Sequence, residues 1–288
     1  MPLLLDRFFF HPHAYSTSDV KAQSLLALQN PQSLTAKMHA LIYYPLLITA
    51  IYLTLTIVLF ALTYFLPRPP TLIPFAARCL SSYAALLVCA IYGVLASIIL
   101  RAFSLHRLAQ WTTARAFAYT MRYATGVTFS ISLADRLLLD SERPVVIVGN
   151  HQSELDVLML GHMFPKYTSV TAKKSLRNVP FLGWFMILSG TVFIDRVDRS
   201  QAMKAFEGAA REMREHRQNV FIFPEGTRSY AEKPVLLPFK KGAFHLAVQA
   251  GVDILPVVAE NYSRVLNVKA RRFNSGNIRV KGTYSLPL

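Results

Sequence analysis

The 288-residue chain is 53% hydrophobic, with a mean hydropathy of +0.32 and a formal charge of +15. Together these values suit a membrane protein with a basic surface and argue against a nucleic-acid binder, for which no aromatic–basic binding module is present. The charge is uneven, with five Lys/Arg against two Asp before residue 101 and 26 against 14 from Arg101 onward, so the C-terminal part would attract anionic phospholipid surfaces and anionic substrates.

Residues 1–40 form an N-terminal segment. Asp6 and Arg7 interrupt its apolar start, so it lacks a signal-peptide layout, while Phe8, Phe9 and Phe10 suit a membrane interface and His11 and His13 read as solvated loop residues. Leu41–Leu66 and Leu80–Leu100 carry no charge over 26 and 21 residues, each enough for a bilayer-spanning helix. Pro67, Pro69, Pro70 and Pro74 break the chain between them. The pattern predicts a two-helix membrane hairpin over residues 41–100 that spans twice, with a shallower re-entrant hairpin as the main alternative and a buried soluble helix pair as the third. Cys79 and Cys89 have neither metal-ligand spacing nor a disulfide framework and read as small buried hydrophobes. Arg101, Arg107, Arg115 and Arg122 follow the second run, and the positive-inside rule then puts both the C-terminal domain and the N-terminus in the cytosol.

Residues 101–143 read as an interfacial helix and linker. From Trp111 to Leu139 an amphipathic helix gives way to an extended run, with Trp111, Phe117, Tyr119, Tyr123, Arg115 and Arg122 suited to the headgroup zone. Over residues 144–288 strand and helix patterns alternate, the signature of an α/β domain. Strands are expected near Val145–Val148, Thr168–Ala172, Thr191–Ile194, Asn219–Phe223 and Ile254–Val258. Helices are expected near Ser153–Met163, Pro180–Leu188, Ser200–Arg217 and Gly242–Ala250. Val179–Ile194 is uncharged over 16 residues, too short to span; Trp184 and Phe185 within it suit either a buried helix or the mouth of an acyl channel.

The chemistry concentrates at Asn150-His151-Gln152-Ser153-Glu154-Leu155-Asp156, at a strand–loop–helix junction. A histidine takes a proton near neutral pH, and a carboxylate on its other ring nitrogen fixes the tautomer and steadies the imidazolium. Five positions turn a straight helix by about 140°, so His151 belongs in the loop and Asp156 in the first helical turns. The competing reading is a Ser153–Asp156 capping box. Three more clusters follow strands, where open α/β sheets place ligands. They are Gly190–Arg196, Phe223–Ser229 and Ile254–Val258. Gly226 permits close backbone approach, Thr227 offers a hydroxyl, Arg228 a planar fork suited to phosphate, and Arg196 a second positive arm. As plain structure, Arg196 and Arg228 would pair with Asp195 and Glu225, Gly226 would only turn the chain, and the last cluster would be a core strand.

The order His-x4-Asp, Phe-Ile-Asp-Arg, Phe-Pro-Glu-Gly-Thr-Arg-Ser and Leu-Pro-Val-Val resembles the four ordered blocks of glycerolipid acyltransferases, and more narrowly the 1-acyl-sn-glycerol-3-phosphate acyltransferases of the fungal and eukaryotic kind. The resemblance runs from about Pro144 to Val258 and takes in Ala172–Leu176, Val179–Phe185 and Leu237–His245. It implies a glycerolipid acyltransferase-like α/β domain, a sheet flanked by helices, behind the apolar hairpin. It implies transfer of the acyl group of acyl-CoA to the sn-2 hydroxyl of lysophosphatidic acid, giving phosphatidic acid. His151 would be the general base and Asp156 its orienting partner, with no acyl-enzyme, no metal and no cofactor beyond acyl-CoA as co-substrate. Arg196, Glu225, Gly226, Thr227 and Arg228 would hold the glycerophosphate, and Leu255, Pro256, Val257 and Val258 would support the acyl-CoA side. Lys173, Lys174, Lys240 and Lys241 are candidates for anionic CoA or headgroup contact, or for solvated and membrane-facing positions. The implied location is the endoplasmic reticulum membrane, with the catalytic domain in the cytosol and lipid droplets as a further site, and with no obligate protein partner. A related acyltransferase acting on glycerol-3-phosphate or another lysophospholipid is the neighbouring reading. A non-catalytic phospholipid-binding scaffold is the reading from another class. Glu154 falls in the variable middle of the first block and bears on acceptor preference. Members of the family usually continue past the position of Ser285–Leu288.

Overall fold

The computed structural model describes residues 31–141 and 144–283, so Phe8–Phe10, His11, His13 and Ser285–Leu288 lie outside the described residues. The chain divides into two compact units, Met1–Leu55 and Thr56–Leu288. The described part of the first is the start of helix α1 (Pro31–Phe65), whose apolar side chains, such as Leu41, Ile48 and Ile51, are exposed. Both α1 and the next helix, α2 (Leu72–Ala102), are long and apolar enough to cross a membrane.

Within the second unit α2 is two-faced. Ala77, Ala85, Cys89, Ala90, Gly93 and Ser97 are buried, whereas Tyr83, Leu87, Val88, Leu95, Ile98 and Ile99 are exposed. The small residues let α3 (Ala109–Thr125) and α6 (Leu182–Leu188) come close; a Cβ on Gly93 would stand 2.6 Å from the Phe185 ring. Polar clasps fix both ends. Arg78 donates to the carbonyls of Thr125 and Phe273, both at 3.2 Å, and Arg101 to that of Leu188 at 3.1 Å.

The core is a seven-stranded sheet in the order β1-β9-β6-β2-β5-β3-β4. Its strands are β1 (Val127–Ile131), β2 (Val146–Gly149), β3 (Thr168–Lys173), β4 (Val192–Ile194), β5 (Asn219–Ile222), β6 (Ile254–Ala259) and β9 (Gly276–Gly282); β7 (Leu266–Asn267) and β8 (Arg272–Phe273) form a separate short pair. From β6 to β4 all neighbours are parallel, and β9 joins β6 antiparallel. Near-continuous apolar runs suit strands covered on both faces. Ile147, Phe221 and Leu255 enter one buried cluster with α3 and α5 (Asp156–Met163). Val146, Val220 and Ile254 enter the other with α7 (Arg199–His216) and α8 (Gly242–Ala250). On the first face α5 crosses α3 so closely that a Cβ on Gly161 would fall 2.3 Å from the Ala114 carbonyl oxygen.

The five anticipated strands of the α/β domain form, with ends shifted by a residue or two. Several elements differ from expectation. The run after α3 is strand β1 followed by helix α4 (Leu133–Ser141). Left-handed Gly126 (φ 71°) ends α3, and Ser132 caps α4 by accepting the Asp135 amide at 3.0 Å. Helix α5 begins at Asp156 rather than Ser153, because residues 152 and 153 turn their amides onto the Asp156 carboxylate. Helix α6 starts at Leu182, after Phe181 at φ 59°, with a 3-10 turn over Lys174–Asn178 before it. Strand β9 was not among the expected strands, although its residues alternate, with Ile278 and Val280 buried between exposed Asn277, Arg279 and Lys281.

Candidate active site

The parallel strands deliver the candidate residues to one edge of the sheet. Val148 pairs with Ile222 and Val170 with Phe221, while Thr171 pairs with Val192, so β2, β5, β3 and β4 reach this edge at nearly the same level. His151 follows β2, Glu225–Arg228 follow β5, Lys173 ends β3 with Lys174 directly after it, and Arg196 follows β4. Neighbouring strands lie about 4.8 Å apart, so Arg228 leaves the sheet one spacing from His151 and Arg196 three spacings away, about 14 Å.

His151 is half-buried and stacks on Phe223, with ring centroids 4.0 Å apart and planes 15° off parallel. Its Nδ1 lies 2.8 Å from Asp156 Oδ2. That oxygen also accepts the amides of Gln152 at 2.6 Å and Ser153 at 3.2 Å. Oδ1 takes the Tyr262 hydroxyl at 2.6 Å. Oδ2 is thus committed as an acceptor and Nδ1 is the donor; in the neutral ring this leaves the lone pair on Nε2, which has no partner among the described residues. One Asp156 oxygen therefore meets both the amides of the loop before α5 and the His151 ring.

The loop carrying His151 is held from several sides. Asn150 and Ala259 exchange two hydrogen bonds, 3.0 and 2.9 Å, and Gln152 donates to the carbonyls of Ala259 and Glu260. The His151 amide donates to Glu225 Oε1 at 2.7 Å, and Glu225 Oε2 accepts the Leu237 amide at 2.9 Å. Glu225 is 2% exposed, and its carboxylate ties two loops together through their amides.

Gly226 takes φ 69°, and its open side lies beside the Lys240 stem, where an added Cβ would stand 3.4 Å from Cγ. Thr227 and Arg228 are exposed next to it. Arg228 pairs with Glu154 at 2.9 Å, not with Glu225, and Tyr230 hydrogen-bonds to both members of that pair. Asp195 likewise pairs with Lys174, at 3.1 Å, rather than with Arg196. Amides of Asp198 and Val197, together with Lys174, hold the Asp195 carboxyl at about 2. Arg196 is exposed and has no partner among the described residues. With Lys173, Lys174 and Arg177 it lines a cleft of about 550 Å³ whose single acid, Asp195, is already neutralised. A second, smaller cavity of about 230 Å³ lies on the other side of His151, between Gln152–Glu154, Tyr230 and the segment Tyr262–Lys269.

Other expected residues are placed differently. Leu255 and Val257 are core side chains pairing with β2, Pro256 is half-buried, and Val258 is exposed; the strand supports the His151 loop. Lys240 and Lys241 are exposed before α8, the Lys240 amide donating to Pro224. Trp184 is exposed on α6, while Phe185 packs inward toward Gly93. Tyr262 is the residue that sequence reasoning missed. It lies just past the end of β6, the strand beside β2, and that adjacency was its only signal. Among the described residues no group of three His, Cys, Asp or Glu is arranged to hold a metal ion.

A family model described as Acyltransferase matches residues 131–260. An uncharacterised acyltransferase of Schizosaccharomyces pombe is 43% identical over 218 residues, 76% of this chain and 77% of that one. The 1-acyl-sn-glycerol-3-phosphate acyltransferase of Saccharomyces cerevisiae is 44% identical over 197 residues, 68% of this chain and 64% of that one, so the match spans a little under two thirds of the yeast protein. In fold the chain is similar to the crystal structure of the 1-acyl-sn-glycerophosphate acyltransferase of Thermotoga maritima, with a TM-score of 0.60 over 75% of this chain and 87% of that one at 23% identity. The chain belongs to the acyltransferase family. Its named relatives from yeast and human are 1-acyl-sn-glycerol-3-phosphate acyltransferases.

Proposed function

We propose that this protein transfers the acyl group of acyl-CoA to the sn-2 hydroxyl of lysophosphatidic acid, forming phosphatidic acid at a membrane surface. The observation that carries the reading is the His151–Asp156 pair, with Nδ1 engaged at 2.8 Å and Nε2 open. Nε2 takes the hydroxyl proton as the oxygen attacks the thioester carbonyl. The tetrahedral intermediate collapses with cleavage of the C–S bond, and the imidazolium returns its proton to the departing thiolate. Asp156 holds the ring and steadies its transient charge, so no acyl-enzyme is required.

Reach separates the cationic groups. In lysophosphatidic acid the phosphate lies only a few bonds from the reacting oxygen, so its partner must stand close to His151. Arg228, one strand away, meets that condition once it leaves Glu154. Arg196, three strands away, does not. The cleft of Lys173, Lys174, Arg177 and Arg196 suits the nucleotide phosphates of CoA, which the pantetheine arm holds far from the thioester.

Helix α2 supports a seat on the membrane rather than a full crossing by that helix. It is clasped to the α/β domain from Ala77 to Arg101, about 36 Å of helix, longer than a hydrocarbon core of about 30 Å. Its outward row of Leu87, Val88, Leu95, Ile98 and Ile99 then enters one leaflet, and exposed Trp184 reaches the headgroups. This favours the re-entrant alternative for the second apolar run. The endoplasmic reticulum, with the site facing the cytosol, fits the arginines that follow α2.

The test is acyl transfer from oleoyl-CoA by purified, detergent-solubilised protein, offered lysophosphatidic acid, glycerol-3-phosphate or lysophosphatidylcholine. Phosphatidic acid from lysophosphatidic acid alone is the expected product. Preference for another acceptor would overturn the substrate assignment while keeping the chemistry.

A further inference from the structure

Tyr262 touches Asp156 on the side away from His151. Strand β6 runs beside β2, so the segment leaving β6 passes the segment leaving β2, and the Asn150–Ala259 pair locks them together. Tyr262 comes from this neighbouring segment, 106 residues beyond Asp156, and its hydroxyl meets Oδ1 at 2.6 Å. The Ser153 hydroxyl lies 3.0 Å from the same phenol oxygen. A phenol has one proton, and here it is spent on the carboxylate, so Ser153 must be the donor to Tyr262. The result is a directed chain in which Ser153 donates to Tyr262, Tyr262 to Asp156, and His151 to Asp156 from the opposite side. Tyr262 is 1% exposed and Asp156 0%, so bulk water does not reach these contacts. Burial, then the Asp156 charge, push the Tyr262 phenol well above its usual range, so it remains a neutral donor.

We propose that Tyr262 is a positioning residue for the acyl transfer: its hydroxyl fixes the Asp156 carboxylate and draws off part of its charge, which sets the basicity of His151. The inference rests on His151 being the base. A carboxylate sharing its charge with a phenol attracts the imidazolium formed in the reaction less strongly than one without that partner. Removing the hydroxyl concentrates charge on Oδ2, tightens its hold on protonated His151 and raises the pH at which the base is lost. The ring itself packs edge-on against Phe129, 6.0 Å between centroids, and phenylalanine preserves that packing. Tyr262→Phe therefore separates the hydroxyl from the ring.

The experiment is the pH profile of kcat/KM for oleoyl transfer to lysophosphatidic acid, with kcat and KM resolved, for wild type, Tyr262→Phe, Ser153→Ala and His151→Ala. Tyr262→Phe is expected to lower kcat about tenfold, leave both KM values within about twofold, and move the acid limb to higher pH by about half to one unit. Ser153→Ala, which weakens the phenol as a donor, moves the limb the same way by less. A Tyr262→Phe limb superimposed on wild type, or a loss confined to KM, overturns the proposal. Should Tyr262→Phe fail to fold, an unmoved limb in Ser153→Ala overturns it instead. His151→Ala keeps the two ideas distinct, since full activity there would remove the base and leave the geometry of Tyr262 without a catalytic consequence.

Discussion

Replacing Glu225 by glutamine distinguishes a residue that holds the loops from one that holds the substrate. The carboxylate accepts two backbone amides, from His151 at 2.7 Å and Leu237 at 2.9 Å, and is 2% exposed. Glutamine keeps one oxygen acceptor but turns an NH2 toward the other amide, so one charge-assisted bond is lost and two donors face each other. Hydrogen bonds to charged groups contribute roughly 1.5–3 kcal/mol, which puts the loss at about 2–4 kcal/mol. At roughly 2–4 °C per kcal/mol for a domain of this size, the midpoint of thermal unfolding should fall by about 5–15 °C. Displacing the His151 backbone should also cut kcat by about 10- to 100-fold. The assay pairs thermal unfolding in detergent with steady-state kinetics on lysophosphatidic acid and oleoyl-CoA. An unchanged midpoint and kcat, with KM for lysophosphatidic acid raised tenfold or more, would refute the argument and place the carboxylate at the ligand.

Arg196→Ala should raise KM for oleoyl-CoA by several-fold and spare KM for lysophosphatidic acid; the reverse pattern would put Arg196 with the acceptor. Glu154→Gln should lower KM for lysophosphatidic acid by up to about fivefold, since an exposed ion pair contributes at most about 1 kcal/mol and Arg228 would no longer be shared. A raised KM would show that Glu154 positions Arg228 instead. Burial, then Arg115, Arg136 and Arg122, hold His162 down to about 4 against a usual 6.5. Below pH 6.5 the unfolded chain therefore takes up this proton first, so His162 costs stability as pH falls from 6.5 toward 4. A denaturation series should show His162→Phe with a shallower loss over that window, and equal slopes would contradict the assignment.

Much of the sheet was legible because its central strands are short apolar runs bounded by turn residues, as in Val145–Val148 and Asn219–Phe223. Those strands end in the chemistry-bearing clusters, so the edge could be read too. The pairing of charges could not. Arg228 meets Glu154, 74 residues away, and Lys174 meets Asp195, because strand order rather than chain proximity decides which loops adjoin. The role of Glu225 was hidden for the same reason: a carboxylate in a loop gives no sign of whether it turns inward to amides or outward to a ligand. Tyr262 lay beyond the last recognised cluster, and only the β6–β2 neighbourhood brings it to Asp156. The second apolar run read as a spanning helix on its hydropathy alone, yet its alanines, Gly93 and Ser97 mark a packed face.

The most direct measurement is kcat for oleoyl transfer to lysophosphatidic acid by His151→Ala beside wild type, each shown to be folded by its thermal midpoint. Loss of a general base should lower kcat by about 10²- to 10⁴-fold with the midpoint held within a few degrees. A folded His151→Ala protein that still makes phosphatidic acid at the wild-type rate would contradict the account.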